Sequence, residues 1–563
     1  LLRRNSNLLQ LQIWCVAIFF VVGCDGGSKI DHKAIPSSEE YGAPGRILRR
    51  GIPGEPQTLD PQLVDDSYSN QVIWDLYEGL TALDREGAVA PGIANSWTVD
   101  QTGTVYTFSI RPNAKWSDGD RVYAREFVAG LRRAVDPRTA SGSAALLSVI
   151  KNANEIIGGK KPVAELGVSA PTDASIRLEL ERPAPYILQV LAEPVASPLH
   201  QRQKKEPTGD SSSPNGMVTD GPYVLASRVP NSYLDLTRNT YYWDAQHVAV
   251  KNIRYVNAES EATELREYIA GEMDLTYSVP TPDLSRVVRD FPDQLQTAPI
   301  LGTLYLALDV SKPPLRDNRE LRQALSMAID RSFIAQHLTL GVTPAYAFVA
   351  NGIKDYYPPA YEWANWPRDQ QLSYARRLYE RSGYSQTKPL RLRLYFNAGE
   401  GIQRIMVAVA GGWKQNLGVE TTLLSDEFRV FLTGRKDHSR WDVARLGWWA
   451  DYNDPSSFLE LFSKNSIQND PAYSSSEFNS LLDSARADSN TAERMNYLRK
   501  SEEVLLNDYP IIPIYFYTAA RLVKPYVGGA HISALRRTYS KHLFWKMPSE
   551  GHAPMEIPLT PKQ

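Results

Sequence analysis

Arg445, Trp448, Trp449 and Asp451 lie in one short stretch, Trp441-Asp442-Val443-Ala444-Arg445-Leu446-Gly447-Trp448-Trp449-Ala450-Asp451-Tyr452-Asn453-Asp454-Pro455. A guanidinium, two indoles and a carboxylate so close together can grip a small solute through charge and flat apolar faces. A strand is predicted to run to Trp448 and to break at Tyr452-Asn453-Asp454-Pro455, a cluster whose side chains bond to nearby backbone. Ligand sites in open α/β sheets sit just beyond strand ends, so binding is expected here. In the plainer alternative, Asp451 caps the turn and Arg445 makes a surface ion pair.

No catalytic signature competes with this stretch. The eight histidines are scattered and form no His-Glu-x-x-His, so a helical zinc site lacks its ligands. No Gly-x-Ser-x-Gly elbow occurs, and Gly158-Gly159-Lys160 lacks the earlier glycine that a phosphate-binding loop requires. Both cysteines lie within the first 24 residues, which excludes disulfide frameworks, cysteine-based zinc sites and thiol catalysis from the rest of the chain. No cofactor or metal is expected. Carboxylates are plentiful, so a secreted hydrolase using a cleft carboxylate pair stays open as a rival. With 62 basic against 64 acidic residues there is no overall field to attract nucleic acid.

A chain of 563 residues exceeds the size at which single cores stop growing, so more than one lobe must carry the site. Val105–Ile110 and Ser175–Leu180 alternate as half-buried strands do. Asp317–Leu340 is predicted helical, with Asp317 and Glu320 spaced as a capping box. Further helices are predicted over Pro367–Ser382, closed by Gly383, and Ile402–Leu417, closed by Gly418. Each precedes an apolar strand, Leu390–Phe396 and Val419–Leu424, so the class is α/β. Gln201–Asn215 reads as a polar connector and an internal boundary.

Val443-Ala444-Arg445 through Pro455 resembles the matching segment of the periplasmic oligopeptide-binding proteins of ABC importers, extracellular solute-binding family 5. Trp116-Ser117-Asp118-Gly119, Leu325 to Arg331 and Ala520 to Gly529 add to the likeness, which extends from about Arg46 to the C-terminal region. It implies a periplasmic binding protein fold (type II, cluster C), with two hinged lobes and an extra domain. The first lobe would take 46–77, 202–301 and 519–563, the extra domain 78–201, and the second lobe 302–518. The implied function is capture of short peptides or peptide-like solutes and delivery to ABC permease subunits, by a monomer. A receptor that signals without transport is a second rival.

The resemblance also implies site residues. Asp451 occupies the place of an aspartate that pairs with the peptide α-ammonium. Opposite charges about 4 Å apart gain roughly 4 kcal/mol at the dielectric of a partly buried cleft, much of which desolvation takes back. Asp65, Tyr277, Tyr305, Phe428, Gly447, Trp448, Trp449 and Tyr517 match other contacting positions. Arg445 and Arg435 match nearby arginines. At Gly447 the missing Cβ would let ligand backbone approach. Ile402, Ala307 and Ser143 replace a histidine, an acidic residue and a tyrosine of the family pattern, which changes the expected carboxylate clamp and length preference.

The N-terminus reads as a basic Leu1-Leu2-Arg3-Arg4, an apolar stretch from Leu8 to Val22, then Val21-Val22-Gly23-Cys24. The apolar run is shorter than the roughly 20 residues of a spanning helix. Its ending resembles the lipobox of bacterial lipoproteins, which implies a signal peptide over 1–24, lipidation of Cys24 and a flexible tether over 25–45. Asp25 resembles an inner-membrane retention signal, so an extracytoplasmic, lipid-anchored location is expected.

Overall fold

The computed structural model describes residues 45–202, 216–339, 341–464 and 466–546. The Cys24 expectation, the signal segment, nearly all of the 25–45 tether and connector residues 203–215 lie outside them. No described helix is long and apolar enough to cross a membrane.

Three sheets organise the chain. In the first, Ile47–Ile52 pairs in parallel with Asn252–Asn257, and Tyr233–Arg238 and Tyr223–Val229 follow antiparallel. The second is antiparallel, in the order Ala94–Val99, Val105–Ile110, Ser175–Glu179, Val168–Thr172. The expected strands at 105–110 and 175–180 are both present. In Val105–Ile110, Tyr106, Phe108 and Ile110 point inward, as the alternation requires. The first two sheets share one continuous core, from Leu48 through Phe108, Trp116 and Ile176 to Tyr255 and Leu543.

The third sheet has six strands, in the order Thr343–Pro344, Ile511–Leu522, Leu295–Leu308, Val443–Trp449, Arg391–Asn397, Glu420–Asp426. It is apolar on both faces. One face packs Leu304, Leu306, Leu394 and Val443 against helices. The other packs Tyr305, Ala307, Ala444 and Leu446 against Phe348, Phe458 and Phe462. The parallel pair Arg391–Asn397 and Glu420–Asp426 follows the helices Arg368–Arg381 and Glu400–Leu417. Gly383 and Gly418 end those helices at φ +86° and +81°, the left-handed conformation expected of them.

One helix differs from its sequence pattern. Arg319–Ala328 is capped by Asn318, whose side chain accepts from the Leu321 N–H at 3.1 Å. Asp317 instead faces Arg316, and Glu320 pairs with Arg381, so no capping box forms. The helix breaks at Ile329, where ψ turns to 129°, and helical turns resume over Arg331–Phe333 and Ile334–Leu338, so the expected single helix is two pieces; Leu340 lies outside the described residues.

The two longest strands, Leu295–Leu308 and Ile511–Leu522, form an antiparallel ribbon. One end packs Leu522 beside Leu265 and Tyr268, and the other lies inside the six-stranded sheet. The register is irregular between Pro299 and Thr303, so the ribbon bends beside Gly302.

Candidate functional site

Val443–Trp449 is a strand, as expected, and its period of two sorts the predicted residues onto opposite faces. Ala444, Leu446 and Trp448 face the phenylalanine core, while Arg445, Gly447 and Trp449 face the other way. On that second face Trp449 stacks on Tyr517 with ring centroids 4.9 Å apart. Two glycines make the stack possible. A Cβ on Gly302, which faces Trp449 in register, would lie 2.6 Å from the Trp449 ring and 3.1 Å from that of Tyr517. A Cβ on Gly447 would meet the Tyr517 hydroxyl at 2.7 Å. The missing Cβ at Gly447 therefore makes room for the Tyr517 hydroxyl.

Among the described residues Arg445 makes no ion pair. Its Nη1 donates to Asn397 Oδ1 at 3.0 Å and its Nη2 to the Tyr517 hydroxyl at 3.1 Å, both neutral acceptors. Its buried Nε has no hydrogen-bond partner among the described residues. Burial raises the Tyr517 phenol, and the charges of Arg445 and Arg536 pull it back. Trp448 Nε1 is likewise buried without a partner, on the opposite face.

Beyond the strand, Asp454 caps the turn, accepting from the Ser456 N–H at 2.9 Å and pairing with Arg494 at 2.7 Å. Asp451 is thereby free of the capping role. Its N–H donates to Ser457 Oγ at 3.0 Å and its carbonyl accepts from Arg537 Nη2 at 3.2 Å. Its carboxylate accepts no hydrogen bond among the described residues. The side chain is accessible to solvent yet set deep among protein atoms, and that burial pushes its carboxyl up to about 6 while the Arg537 charge opposes the rise.

Three distant segments meet at the turn that carries this carboxylate. Ala450 donates to the Leu301 carbonyl at 2.8 Å, and Leu301 donates to Ala534 at 2.8 Å, which brings the Arg536-Arg537 doublet alongside. Arg537 is buried and ion-paired with Glu193. Burial pushes Glu193 up to about 7; the Arg537 charge works against this and the Asp451 charge adds to it. Next to Glu193, Tyr186 stacks on Tyr452 at 4.3 Å, and Gln189 exchanges hydrogen bonds with the Asn453 backbone. A short run around 186–193 is thus fastened to the turn that carries Asp451.

Tyr277 stands edge-on to Tyr68 at 5.5 Å, with the Arg536 guanidinium 5.6 Å from its ring centre. The remaining predicted residues have other immediate partners, although Tyr305 lies close enough to Arg435, Arg445 and Tyr517 to feel their charges. Tyr305 is 3% exposed and packs edge-on against Phe348 and Phe462, so its ring is core rather than a contact surface. Arg435 follows the helix Phe428–Gly434 and pairs with buried Asp470 at 3.0 Å. Phe428 opens that helix and is 52% exposed, with no ring contact to the cluster among the described residues. Asp65 is exposed and lies against Gly142. Among the departures, Ala307 is fully buried, Ile402 is half-buried against a core, and the Ser143 hydroxyl donates to the Val64 carbonyl at 2.9 Å.

Glu193, Gly302, Tyr68, Arg536 and Arg537 were not singled out from sequence. The arginine doublet was visible as a local charge cluster, whereas nothing near Glu193 marks it. Separately, Asp118, Asp120 and His200 bring three possible metal-ligand atoms within 4.8 Å of one another. Arg202 lies 3.5 Å from Asp118 and already offsets part of that charge.

Comparison with known proteins extends the local likeness to most of the chain. Residues 88–470 match the model of the bacterial extracellular solute-binding proteins, family 5 middle region. The periplasmic oligopeptide-binding protein OppA of Escherichia coli K12 is 35% identical over 507 residues, covering 89% of this chain and 92% of its own. The open, unliganded form of the murein tripeptide-binding protein MppA superposes with a TM-score of 0.78 at 33% identity, covering 88% of this chain and 97% of its own. OppA of Haemophilus influenzae, in complex with the peptide RPPGFSPFR, does so with a TM-score of 0.74 at 31% identity, covering 88% and 98%.

Proposed function

The chain belongs to the family 5 bacterial extracellular solute-binding proteins, and from that premise we propose that it holds the free amino end of a short peptide against Asp451 and passes the peptide to an ABC permease. It is a binding protein and not an enzyme, and its place is outside the cytoplasm. The hydrolase and non-transport readings are not favoured. Glu193, the second carboxylate near Asp451, is held by Arg537 and is poorly placed for proton transfer to a substrate.

The observation that carries the proposal is the Asp451 carboxylate, deep in the fold, accessible and without a hydrogen-bond donor among the described residues. A deep carboxylate is costly unless a cation reaches it, and an α-ammonium brings both charge and three donors. Trp449 and Tyr517, stacked at the end of the strand that leads to it, supply an apolar wall, 46% exposed at the indole. Main-chain hydrogen bonding of an added strand would supply affinity without regard to side chains.

In this reading the lobes are 46–77 with 202–301 and 519–563, and 302–518, with 78–201 as the extra domain. The Leu295–Leu308 and Ile511–Leu522 ribbon serves as the hinge, and contacts from both lobes favour closure. Lipidation at Cys24 would hold the protein at the membrane, the inner one by the Asp25 signal; Cys24→Ser should release it to the soluble fraction, and continued sedimentation with membranes would refute the anchor.

Isothermal titration calorimetry with a peptide and its N-acetylated twin tests the central claim. The free amine should bind at least tenfold tighter, since an ion pair in a partly dry site is lost on acetylation. Equal affinity would remove the ammonium assignment.

A further inference from the structure

We infer that the cavity beside Tyr277 is an anion subsite, in which Arg536 at the mouth and Arg521 at the base receive a carboxylate carried by the bound solute. The inference rests on the peptide-binding reading and narrows its substrate class to peptides with an acidic group.

The cavity offers about 30 Å³, enough for one or two water-sized atoms and so for carboxylate oxygens rather than a ring. Its walls include Arg50, Arg521, Arg536, Gln71, Tyr277 and Thr538, and among the described residues no aspartate or glutamate lines it, the Glu264 carboxylate standing behind Gly51 and Tyr277. Of the three arginines, Arg50 is already matched: Asp75 lies 3.5 Å away, and the Tyr255 hydroxyl and Thr538 carbonyl accept from it.

Arg521 is not matched. It is 5% exposed, and among the described residues its acceptors are all neutral: Gln296 Oε1 for Nε and Nη2 at 3.2 and 3.1 Å, and Thr538 Oγ1 for Nη1 at 2.5 Å. Burial, with the like charge of Arg50, pulls its proton affinity down to about 9. A guanidinium removed from water without an anion is an unfavourable arrangement that an incoming carboxylate relieves.

Arg536 supplies the second half of the site. Its φ of +63° is a left-handed conformation that residues with a Cβ seldom adopt. The conformation turns it outward while its neighbour Arg537 is buried against Glu193. Among the described residues no carboxylate lies within ion-pairing distance of Arg536. Its guanidinium lies beside the Tyr277 ring, and Tyr277 is itself fixed by its N–H to Glu264 Oε1 at 2.5 Å and by Tyr68. An exposed arginine on a fixed aromatic wall, leading to a buried unmatched arginine, is a route built for negative charge.

The test uses the full chain, calorimetry at low ionic strength, and short peptides that differ only by Glu against Gln at each position in turn. At one position Glu should bind about tenfold tighter than Gln, and Arg536→Gln should reduce that ratio to near one, with the melting temperature reporting that the variant is folded. Equal affinities at every position, or a ratio unchanged in Arg536→Gln, would overturn the subsite while leaving peptide binding in place. If none of these peptides binds, the peptide reading fails and inorganic sulfate decides the subsite by thermal shift. A rise that is larger in the wild type than in Arg536→Gln upholds it, and equal shifts overturn it.

Discussion

Two stretches of the proposed chamber follow opposite electrostatic plans. Around Asp451 two carboxylates, Asp451 and Glu193, share one buried arginine, Arg537. Around Tyr277 three arginines line one cavity, and among the described residues only Arg50 has a carboxylate partner, Asp75. Adjacent residues divide the two: Arg537 is spent on protein carboxylates, and Arg536 has none among the described residues. The contrast teaches that charge is left unsatisfied at both places, with opposite sign, in a pattern complementary to a zwitterionic solute.

The contrast is broken most severely by removing the one cation that balances the acidic end. Arg537→Met would leave Glu193 buried beside Asp451 with no counter-charge, and should cost about 3–5 kcal/mol of stability by urea denaturation. A loss under about 1 kcal/mol would mean that the pair is not structural.

Asp451→Asn acts on the ligand rather than on the fold. It should lower affinity for peptides with a free amino group by about 2–5 kcal/mol and spare N-acetylated ones. Equal loss for both would show that Asp451 contributes something other than a charge partner.

Acidity sharpens the same point. Because burial holds the Asp451 carboxyl near 6 in the free protein, the ammonium site is charged above that pH and neutralised below it. Affinity for a free amine should fall about tenfold per pH unit below 6, until the lower pKa of the complex is reached. In Asp451→Asn the profile should be flat over that range. For stability the sign is reversed: a carboxyl raised in the folded state binds more protons there than when unfolded. Asp451 and Glu193 therefore make the free protein less stable as pH rises from about 4 through 6 to 7.

The smallest effect is steric. Gly302→Ala should displace the Trp449 and Tyr517 rings from their stack and cost about 1–3 kcal/mol, read as a lower melting temperature and altered tryptophan fluorescence. An unchanged emission spectrum would show that the rings do not depend on that glycine.

Much of this was legible in the chain before it was folded. Alternation marked Val105–Ile110, and glycines in the left-handed conformation marked the ends of two helices, because these signals are local. The strand that leads to Asp451 was legible for the same reason. Its period of two also implied that Trp448 and Trp449 point apart, a consequence that grouping them by proximity in sequence obscured. The Asp317 capping box failed because Asn318 was an equally good cap one residue on and the flanking charges found tertiary partners. Glu193 and Arg537 were out of reach, since they meet across hundreds of residues and neither needs a local pattern to do so.

The core shared by the first two sheets has a calorimetric consequence. Leu48, Phe108, Ile176 and Tyr255 belong to one apolar mass, so neither of those sheets can melt while the other stays dry. The six-stranded sheet, with apolar packing on both faces, is the other cooperative unit. Heating should therefore resolve into at most two transitions in a molecule built from three principal sheets, and a ligand bridging both units should draw the two melting peaks together.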